Sequence, residues 1–508
     1  MRSSPARHQG EADEETMAVE LNAEERELFG VLRNVVRDLN LSTELRCAGG
    51  WVRDKLLGRE SDDIDIALDN MSGETYANHL NDYLASRGEE QTSVAVIQSN
   101  PEQSKHLETA KVKYQGLEID FVNLRSESYA SSSRIPEIEF GTAEEDAMRR
   151  DFTINALFYN IGQGNVEDLT GRGLEDLRNK LIRTPLPALQ TFMDDPLRVL
   201  RAVRFASRFS FEIHHDIAEA ASSAEVRDAL QTKVSRERIS TEFESMLEGP
   251  NPKLALQLIK SFGLLDAVLN VPQSLKEVLP VGYAERCIGA GVLMADLLAG
   301  KWDKATRRIG VLSALLLPLR GFSAQGEKKN REVPLPEYVV GVSMKKKKDA
   351  VTIGALHRAA LDILAVSQDT CDPCRETKVK FGLAIRSTRE LWRVATLLSF
   401  VAGLPLGRSL HSDSEEDSPR IIISPAEEAL DRSAAYTSKV EQLAVSLKLE
   451  RAWEIRPLIN GKELMKLLNA KGPVIGKAVQ EMTKWQLANP GGSVEDCKVY
   501  LQERTFSN

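Results

Sequence analysis

Two aspartates, Asp63 and Asp65, carry the clearest chemical signal in the sequence. They lie in Asp62 to Leu68, whose alternating polar and apolar residues predict a β-strand, so both carboxylates project from one face. Two acids side by side on a rigid strand suit a pair of divalent cations roughly 3.5–4 Å apart, the arrangement used for in-line displacement at phosphorus. The alternative for an isolated D-x-D is an acidic hairpin with solvated aspartates.

The residues just before this strand favour the chemical interpretation. They predict a strand over Glu44 to Ala48, a tight turn at Gly49-Gly50, and one or two helical turns over Trp51 to Leu57. The glycine pair lets the backbone approach a ligand closely, and N–H groups at the start of a helix can hold a phosphate. The short helix also carries Arg53-Asp54. A strand, a glycine turn, a helix and an acidic strand in succession make a bare acidic hairpin a poor explanation.

The segment Leu45 to Asn70 resembles the catalytic signature of the nucleotidyltransferase superfamily. In particular it is similar to the G-G-x-V-R-D…D-x-D motif of the class II tRNA nucleotidyltransferases, the CCA-adding enzymes of bacteria and eukaryotes. The resemblance implies that Asp63 and Asp65 bind two Mg²⁺ ions, with Mn²⁺ as a substitute. It also implies that Gly50 and Arg53 contact the nucleotide, that CTP and ATP are substrates, and that the acceptor arm and elbow of tRNA are the nucleic-acid partner.

A second acidic strand is predicted over Leu117 to Leu124, where Glu118 and Asp120 share a face and Arg125 follows. Taken alone, this pattern fits an amphipathic edge strand equally well. In the family, a strand with a similar acid and arginine pattern supplies a third carboxylate near the metals. The resemblance therefore nominates Asp120, either as a metal ligand or as the base that deprotonates the attacking hydroxyl.

The run Arg149-Arg150-Asp151, followed by Asn155 one predicted helical turn later, resembles the R-R-D-F-T-x-N-A-L motif of the family. Arginine can fork onto phosphate oxygens, while Asp or Asn can hydrogen-bond a ribose hydroxyl and so select ribonucleotides. Without the family, a capping and salt-bridge cluster at a helix start is an alternative. The polar, proline-punctuated segment Ser131 to Phe140 just before it predicts a mobile loop.

A further helix is predicted with Asp195 as its N-cap and Pro196 in the first position. Arg198, Arg201 and Arg204 then fall within a roughly 120° arc, which alone describes a basic surface helix. The segment resembles the family's E/D-D-x-x-R block, which acts as a protein template. The resemblance places Asp195 and Arg198 on the Watson–Crick edge of the incoming base, and Arg201 and Arg204 nearby or on the phosphates. An acceptor and donor pair matches C and A, which share an exocyclic amine beside a ring-nitrogen acceptor.

Composition limits the class of protein. The 508 residues carry a net charge of −9, which argues against a protein that coats nucleic acid non-specifically but permits a locally basic cleft. The five cysteines are sparse and mostly isolated, which indicates a reducing compartment. The lone C-x-x-C of Cys371 and Cys374 predicts a surface loop rather than a zinc site. The sequence has no run near the ~20 apolar residues of a membrane span, so no membrane partner is expected.

The predicted fold is α+β, with a small mixed β-sheet nucleotidyltransferase head followed by an all-α neck, body and tail. The expected divisions are a disordered tail (1–20), the catalytic head (21–165), a helical neck that recognises the base (166–255), and a helical body and tail that bind tRNA (256–508). Gln325 to Glu332 and Leu410 to Arg420 are predicted to be disordered surface loops. A cytoplasmic enzyme is expected, with mitochondrial and nuclear forms as further options, and Met17 is a candidate second start.

The predicted reaction is template-independent addition of CCA to tRNA. The tRNA 3′-OH attacks the α-phosphate of CTP or ATP, and pyrophosphate leaves. Two alternatives stay open at this point: a poly(A) polymerase of the same superfamily, and a non-catalytic RNA-binding relative. The second is the weaker, because a protein without catalysis has no need of Asp63 and Asp65 together with Arg150 and Arg198.

Overall fold

The computed structural model describes residues 17–97, 109–128, 137–326, 331–368, 374–404, 426–504 and 506. The chain divides into two compact units, Met1–Lys233 and Val234–Asn508. The predicted head, neck, body and tail boundaries stay a prediction. Several expected features lie outside the described residues: most of the N-terminal tail (1–16), part of the predicted loop before Phe140 (131–136), the loops at 327–330 and 410–420, and Cys371.

The first unit combines strands and helices. Its strands are β1 (Leu45–Ala48), β2 (Asp63–Leu68), β3 (Val94–Ile97), β4 (Thr109–Tyr114), β5 (Leu117–Asn123), β6 (Arg125–Ser128), β7 (Glu137–Phe140), β8 (Phe158–Asn160), β9 (Asn165–Glu167), β10 (Leu181–Ile182) and β11 (Glu212–Ile213). Its helices are α1 (Ala23–Asp38), α2 (Gly50–Leu56), α3 (Gly73–Ser86), α4 (Ala143–Met148), α5 (Gly173–Arg178), α6 (Ala188–Asp194), α7 (Leu197–Phe209), α8 (His215–Ala221) and α9 (Ala224–Lys233).

The main sheet has the strand order β3-β4-β5-β2-β1-β8-β9. Its central pair, β2 and β5, is parallel, while β4 and β5, β1 and β2, and β1 and β8 pair antiparallel. The sheet is therefore mixed, as the sequence predicts. Apolar residues of the central strands, such as Ile64, Ile66 and Phe121, are fully or almost fully buried and alternate with polar ones on the other face. The α+β fold class is confirmed.

One expected loop is partly ordered. Glu137–Phe140, the end of the segment predicted to be a mobile loop, forms strand β7 and pairs antiparallel with β6. The sequence prediction was wrong here because both strands are only four residues long, and β6 (Arg-Ser-Glu-Ser) has no apolar residue. The alternation of Glu-Ile-Glu-Phe in β7 is too short to predict a strand by itself. Their pairing rests on backbone hydrogen bonds, which composition does not reveal.

Helix α1 is attached to the glycine-turn helix by a buried acid. Asn22 and Glu25 form a capping box, in which the backbone N–H of each residue donates to the side chain of the other. Glu25, which is 1% exposed, also accepts a hydrogen bond from the Trp51 indole (3.0 Å) and pairs with Lys55 Nζ (2.8 Å). Both partners lie on α2, so Glu25 fixes the helix that follows Gly49-Gly50.

The second unit is helical, as predicted, except for one short ribbon. Its helices are α10 (Arg236–Glu248), α11 (Pro252–Ser261), α12 (Leu265–Leu269), α13 (Gln273–Lys276), α14 (Tyr283–Leu297), α15 (Lys304–Leu316), α16 (Leu335–Tyr338), α17 (Lys347–Gln368), α18 (Arg375–Thr388), α19 (Trp392–Gly403), α20 (Ala426–Ser446), α21 (Gly461–Leu467), α22 (Pro473–Ala488) and α23 (Val494–Gln502). Strands β12 (Ser323–Gln325) and β13 (Glu332–Pro334) pair antiparallel. The expected disordered loop Gln325 to Glu332 therefore begins and ends in strands.

One helix in the described part of the chain, α17, is long and apolar enough by length and composition to cross a membrane. The sequence prediction of no such stretch missed it. The helix carries charged side chains such as Asp349 and Arg358, and ten of its residues are buried. Core helices meet the same criterion, so this helix does not add a membrane to the expected partners.

Replacing Glu25 by alanine is expected to lower the free energy of unfolding by about 2–4 kcal/mol, because Lys55 and the Trp51 indole lose a buried partner. The exposed neighbour Glu24 provides the control, since Glu24→Ala should change stability by no more than about 0.5 kcal/mol. Calorimetric unfolding of both variants checks this. Equal transition temperatures for the two variants would contradict the role given to Glu25.

Candidate active site

Three predicted acids lie together on one face of the main sheet. In the parallel register of β2 and β5, Asp63 is opposite Glu118 and Asp65 is opposite Asp120. Neighbouring strands lie about 4.8 Å apart, and residues two apart on a strand share a face. The structure therefore brings Asp63, Asp65 and Asp120 into one group, as the sequence predicts. Asp63 is exposed and Asp65 is partly buried, so the group borders solvent.

The electrostatics of this group suit a bound cation. Burial is the first cause that raises the pKa of the Asp65 carboxyl, and the charge of Asp63 is the second; together they bring it to about 6. The positive charge of Arg150 opposes this rise. Crowded carboxylate oxygens with unfavourable mutual repulsion form the ligand set that hard divalent cations prefer. Asp63, Asp65 and Asp120 thus fit a divalent metal.

The glycine turn makes room for an arginine. Gly49 has φ +68°, a backbone conformation that favours glycine, and a Cβ added there would lie 2.7 Å from Nη1 of Arg150. Arg150 donates two hydrogen bonds to Asp146 Oδ2 (2.9 and 2.8 Å) and one to the carbonyl oxygen of Asn155 (3.2 Å). Its guanidinium also lies 5.1 Å from the ring centre of Phe158. Arg150 is therefore a fixed positive charge beside the acids.

The segment from Arg149 to Asn155 differs from the predicted helix. Helix α4 ends at Met148, Phe152 is extended (φ −135°, ψ 149°), and Thr153–Asn155 is a single 3₁₀ turn. The reason is packing: the Phe152 ring is fully buried and contacts Phe205 edge-on. A continuous helix would not direct Phe152 into this core. The side chain of Asn155 nevertheless donates to Asp151 Oδ1 at 3.0 Å.

Asp151 is held by a guanidinium as well as by Asn155. Arg201 Nε and Nη2 lie 2.8 and 2.6 Å from Asp151 Oδ2. Burial alone would raise the pKa of Asp151, but the Arg201 charge and the Asn155 hydrogen bond outweigh burial and lower this pKa to about 2. Asp151 is therefore ionised throughout the physiological pH range.

Arg53 is more deeply buried than is expected of a residue that contacts a nucleotide at the protein surface. It is 4% exposed, and its guanidinium donates to both carboxylate oxygens of Asp54 (2.9 Å each) and to the side-chain oxygen of Asn155. The guanidinium also stacks on Phe205 and Phe209, 5.1 and 4.8 Å from the two ring centres. Arg53 thus connects the glycine-turn helix with Asn155 and with helix α7.

Two arginines of α7, Arg198 and Arg201, bind the turn that carries Arg150. Arg198 donates to the backbone carbonyl of Arg149 at 2.8 Å, Arg201 binds Asp151, and the Arg204 guanidinium lies 4.4 Å from the centre of the Phe205 ring. The helix itself begins at Leu197, whose N–H donates to Asp195 Oδ1 at 3.2 Å. The predicted start is thus displaced by one residue, with Pro196 in the capping position.

Three contributors were absent from the sequence prediction. Asp146, 1% exposed, neutralises both Arg149 and Arg150, and its spacing three and four residues before them on a helix was a usable signal. Glu127 pairs with Arg149 across 3.0 Å. Lys111 Nζ lies 2.8 Å from Asp120 Oδ2. The contacts of Glu127 with Arg149 and of Lys111 with Asp120 join different elements of the fold, so spacing along the sequence does not reveal them.

Comparison with known proteins agrees with this geometry. Residues 45–183 match the sequence family described as Poly A polymerase head domain, and residues 211–275 match the one described as probable RNA and SrmB-binding site of polymerase A. The chain is 37% identical over 492 residues to the mitochondrial CCA tRNA nucleotidyltransferase of Saccharomyces cerevisiae, covering 90% of this chain and 87% of that relative. The chain belongs to the CCA tRNA nucleotidyltransferase family, whose members are enzymes.

Two further comparisons extend this result. The mitochondrial CCA tRNA nucleotidyltransferase of Candida glabrata is 36% identical over 495 residues, with 90% of each chain covered. The solved structure of the Bacillus stearothermophilus CCA-adding enzyme in complex with CTP has a TM-score of 0.60 at 21% identity and covers 95% of this chain and 98% of that chain. The structural likeness shows a shared fold. Membership of a nucleotidyltransferase family implies dependence on divalent metal, which the three acids fit.

Asp65→Asn is expected to stabilise the metal-free protein. The folded-state pKa of Asp65, about 6, lies above the ordinary 3.8, so ionisation of Asp65 destabilises the fold increasingly from about pH 4 and fully above about pH 6. The variant should gain up to about 3 kcal/mol at pH 7.5, and this gain should vanish near pH 3.5. Thermal unfolding in EDTA at both pH values measures it, with the exposed Asp62→Asn as the control. A lower transition temperature for Asp65→Asn at pH 7.5 would contradict the cost assigned to ionising Asp65, which comes first from burial and second from the charge of Asp63.

Proposed function

We propose that this protein adds the 3′-terminal CCA sequence to tRNA from CTP and ATP without a nucleic-acid template. The observation that carries the proposal is the β2–β5 register, which groups Asp63, Asp65 and Asp120 beside Arg150. Family membership over nine-tenths of the chain supports the choice of reaction. The same matches do not favour the poly(A) polymerase or the non-catalytic alternative.

The proposed chemistry assigns separate roles to the acids. Asp63 and Asp65 would hold two Mg²⁺ ions, for which Mn²⁺ can substitute, and Asp120 would serve as a further ligand or as the base that accepts the proton of the tRNA 3′-OH. Held by these carboxylates, divalent cations would supply Lewis-acid chemistry, lowering the pKa of the attacking hydroxyl and stabilising charge on the phosphoryl oxygens. The 3′ oxygen forms a bond to the α-phosphorus as the bond to the pyrophosphate oxygen breaks.

The arginines would hold the nucleotide. Gly50 at the helix start, Arg53 and Arg150 are proposed to supply N–H donors to the triphosphate. Arg150 has its position fixed by Asp146, so it contributes charge without reorganisation. Asp151 and Asn155 are proposed to set the ribose contact from their mutual hydrogen bond.

Base choice would come from α7. Asp195 accepts from, and Arg198 donates to, the Watson–Crick edge of C or A, while Arg201 and Arg204 contact the triphosphate. Support comes from the anchoring of this helix: Arg198 binds the carbonyl of Arg149 and Arg201 binds Asp151, so the base-reading residues are attached to the turn that carries Arg150. Such rigid support is what a protein template requires.

The cellular compartment in which this protein acts is also a proposal. The two relatives described above are named as mitochondrial enzymes. We propose action in mitochondria, and also in the cytoplasm and nucleus, where tRNAs are completed. Start-site use at Met17 would give a second form of the chain, which N-terminal sequencing of the native protein tests.

Asp63→Ala is expected to reduce nucleotide addition on the order of 10³-fold while leaving tRNA affinity near that of the wild type, since the metal ligand acts mainly on the transition state. The assay incubates protein, Mg²⁺, CTP and ATP with tRNAs that lack three, two or one terminal nucleotides, and sizes the products. The exposed Asp62→Ala is the matched control and should retain activity.

Three product patterns separate the candidate functions. Completion to CCA supports the proposal, long A tails would indicate a poly(A) polymerase, and no extension would indicate an RNA-binding protein. Undiminished turnover by Asp63→Ala would remove the metal assignment.

Asp195→Ala and Arg198→Ala are expected to relax base choice by about 10- to 100-fold, since each removes one charge-assisted hydrogen bond to the base. The readout is the ratio of kcat/KM for CTP or ATP to that for GTP or UTP. Glu219→Ala removes an exposed acid of helix α8, outside this block, and should keep the wild-type ratio. Strict preference for C and A in the Asp195 variant would refute the template role.

A further inference from the structure

Lys111 lies in the same cross-strand row of residues as Asp120 and Asp65. Lys111 on β4 is directly opposite Asp120 in the antiparallel register, and Asp120 is directly opposite Asp65 in the parallel register. Directly opposed residues of neighbouring strands project from the same face. The ammonium of Lys111 therefore belongs to the same surface as the carboxylates, and its Nζ lies 2.8 Å from Asp120 Oδ2.

We propose that Lys111 is a positioning residue that holds Asp120 in the metal-free protein and competes with a divalent cation for that carboxylate. This inference rests on the proposed function of the acids as metal ligands. An ammonium and a divalent cation cannot both take the same lone pairs of Asp120 without strong repulsion. The ion pair thus orders the carboxylate in advance and weakens cation binding.

The two positive side chains beside the acids, Arg150 and Lys111, differ in how freely they can move. Arg150 is clamped by Asp146 and lies against Gly49, so it stays in place when a cation binds. The Lys111 side chain is 46% exposed and has a flexible four-carbon stem, so it can turn into solvent. Arg150 is therefore the permanent counter-charge of the site, and Lys111 is the exchangeable one.

The surrounding charges agree with this role. The pKa of Lys111 is raised, first by its hydrogen bond with Asp120 and also by the charges of Asp120, Asp63 and Glu118. Lys111 in turn contributes to the field at Asp65. Its cation is thus stabilised by several carboxylates at once, whereas a single exposed ion pair contributes little.

The matched control is Lys113, two residues along the same strand and exposed on the same face. It is opposite Glu118 rather than Asp120. Lys111→Met and Lys113→Met therefore remove the same charge and the same polar atom from one face. A general charge effect would act similarly through both, whereas competition at Asp120 would act through Lys111.

The test is a Mn²⁺ titration followed by electron paramagnetic resonance, without nucleotide or tRNA, so that turnover plays no part. Lys111→Met is expected to bind Mn²⁺ about threefold to tenfold more tightly than the wild type. Lys113→Met should change the affinity less, and Lys111→Arg should stay close to the wild type. In an Asp120→Asn background, the effect of Lys111→Met should shrink.

The outcomes distinguish this inference from the proposed function. Equal affinities for Lys111→Met and the wild type, or equal effects of the two lysine variants, would overturn the role of Lys111 while leaving a metal site intact. If the wild type binds no Mn²⁺, or if Asp63→Ala binds Mn²⁺ as tightly as the wild type, the metal site and this inference are overturned together.

Discussion

The parallel pairing of β2 with β5 is the constraint on which the site depends. It sets Asp65 opposite Asp120 and, with Asp63 on the same strand, concentrates negative charge that the fold itself does not neutralise fully. Burial first, and the charge of Asp63 second, raise the pKa of the Asp65 carboxyl. Backbone hydrogen bonds of the strands and the buried residues Ile64 and Ile66 beneath them hold the acids together against their mutual repulsion. Binding of a cation would relieve this unfavourable interaction, so the strand pairing favours a cation at the acids.

Buried ion pairs extend this rigidity from the sheet to helix α7. Asp146 clamps Arg150 behind the glycine turn, and Asp151 clamps Arg201 on the helix. Arg53 joins the two regions through Asn155 and the aromatic ring of Phe205. The groups proposed to do chemistry and those proposed to choose the base therefore share one set of polar contacts. Removing a partner from such a set leaves a buried charge without compensation.

The sequence predicted strands β1, β2 and β5 and helix α2 to within one residue at either end, because their apolar pattern is clear. It did not predict β8 and β9, which complete the same sheet and are only three residues long each. It also grouped the acids correctly, since spacing within a strand decides which face a side chain takes. It was wrong where packing overrides local spacing: Asp151 and Asn155 are four residues apart, yet the burial of Phe152 replaces the helix by an extended residue and a 3₁₀ turn. Contacts such as that of Lys111 with Asp120 could not be predicted from the sequence, because they depend on the register between strands.

Asp146 has a consequence for natural variation in this chain. One carboxylate neutralises two neighbouring guanidinium groups, those of Arg149 and Arg150, and through Arg149 it also supports the carbonyl that Arg198 binds. An inherited change at Asp146 would disturb both the charge of Arg150 beside the acids and the contact that anchors helix α7. Enzyme assays would class such an allele with those that lose one of the groups proposed to react, although Asp146 is buried and is not one of them.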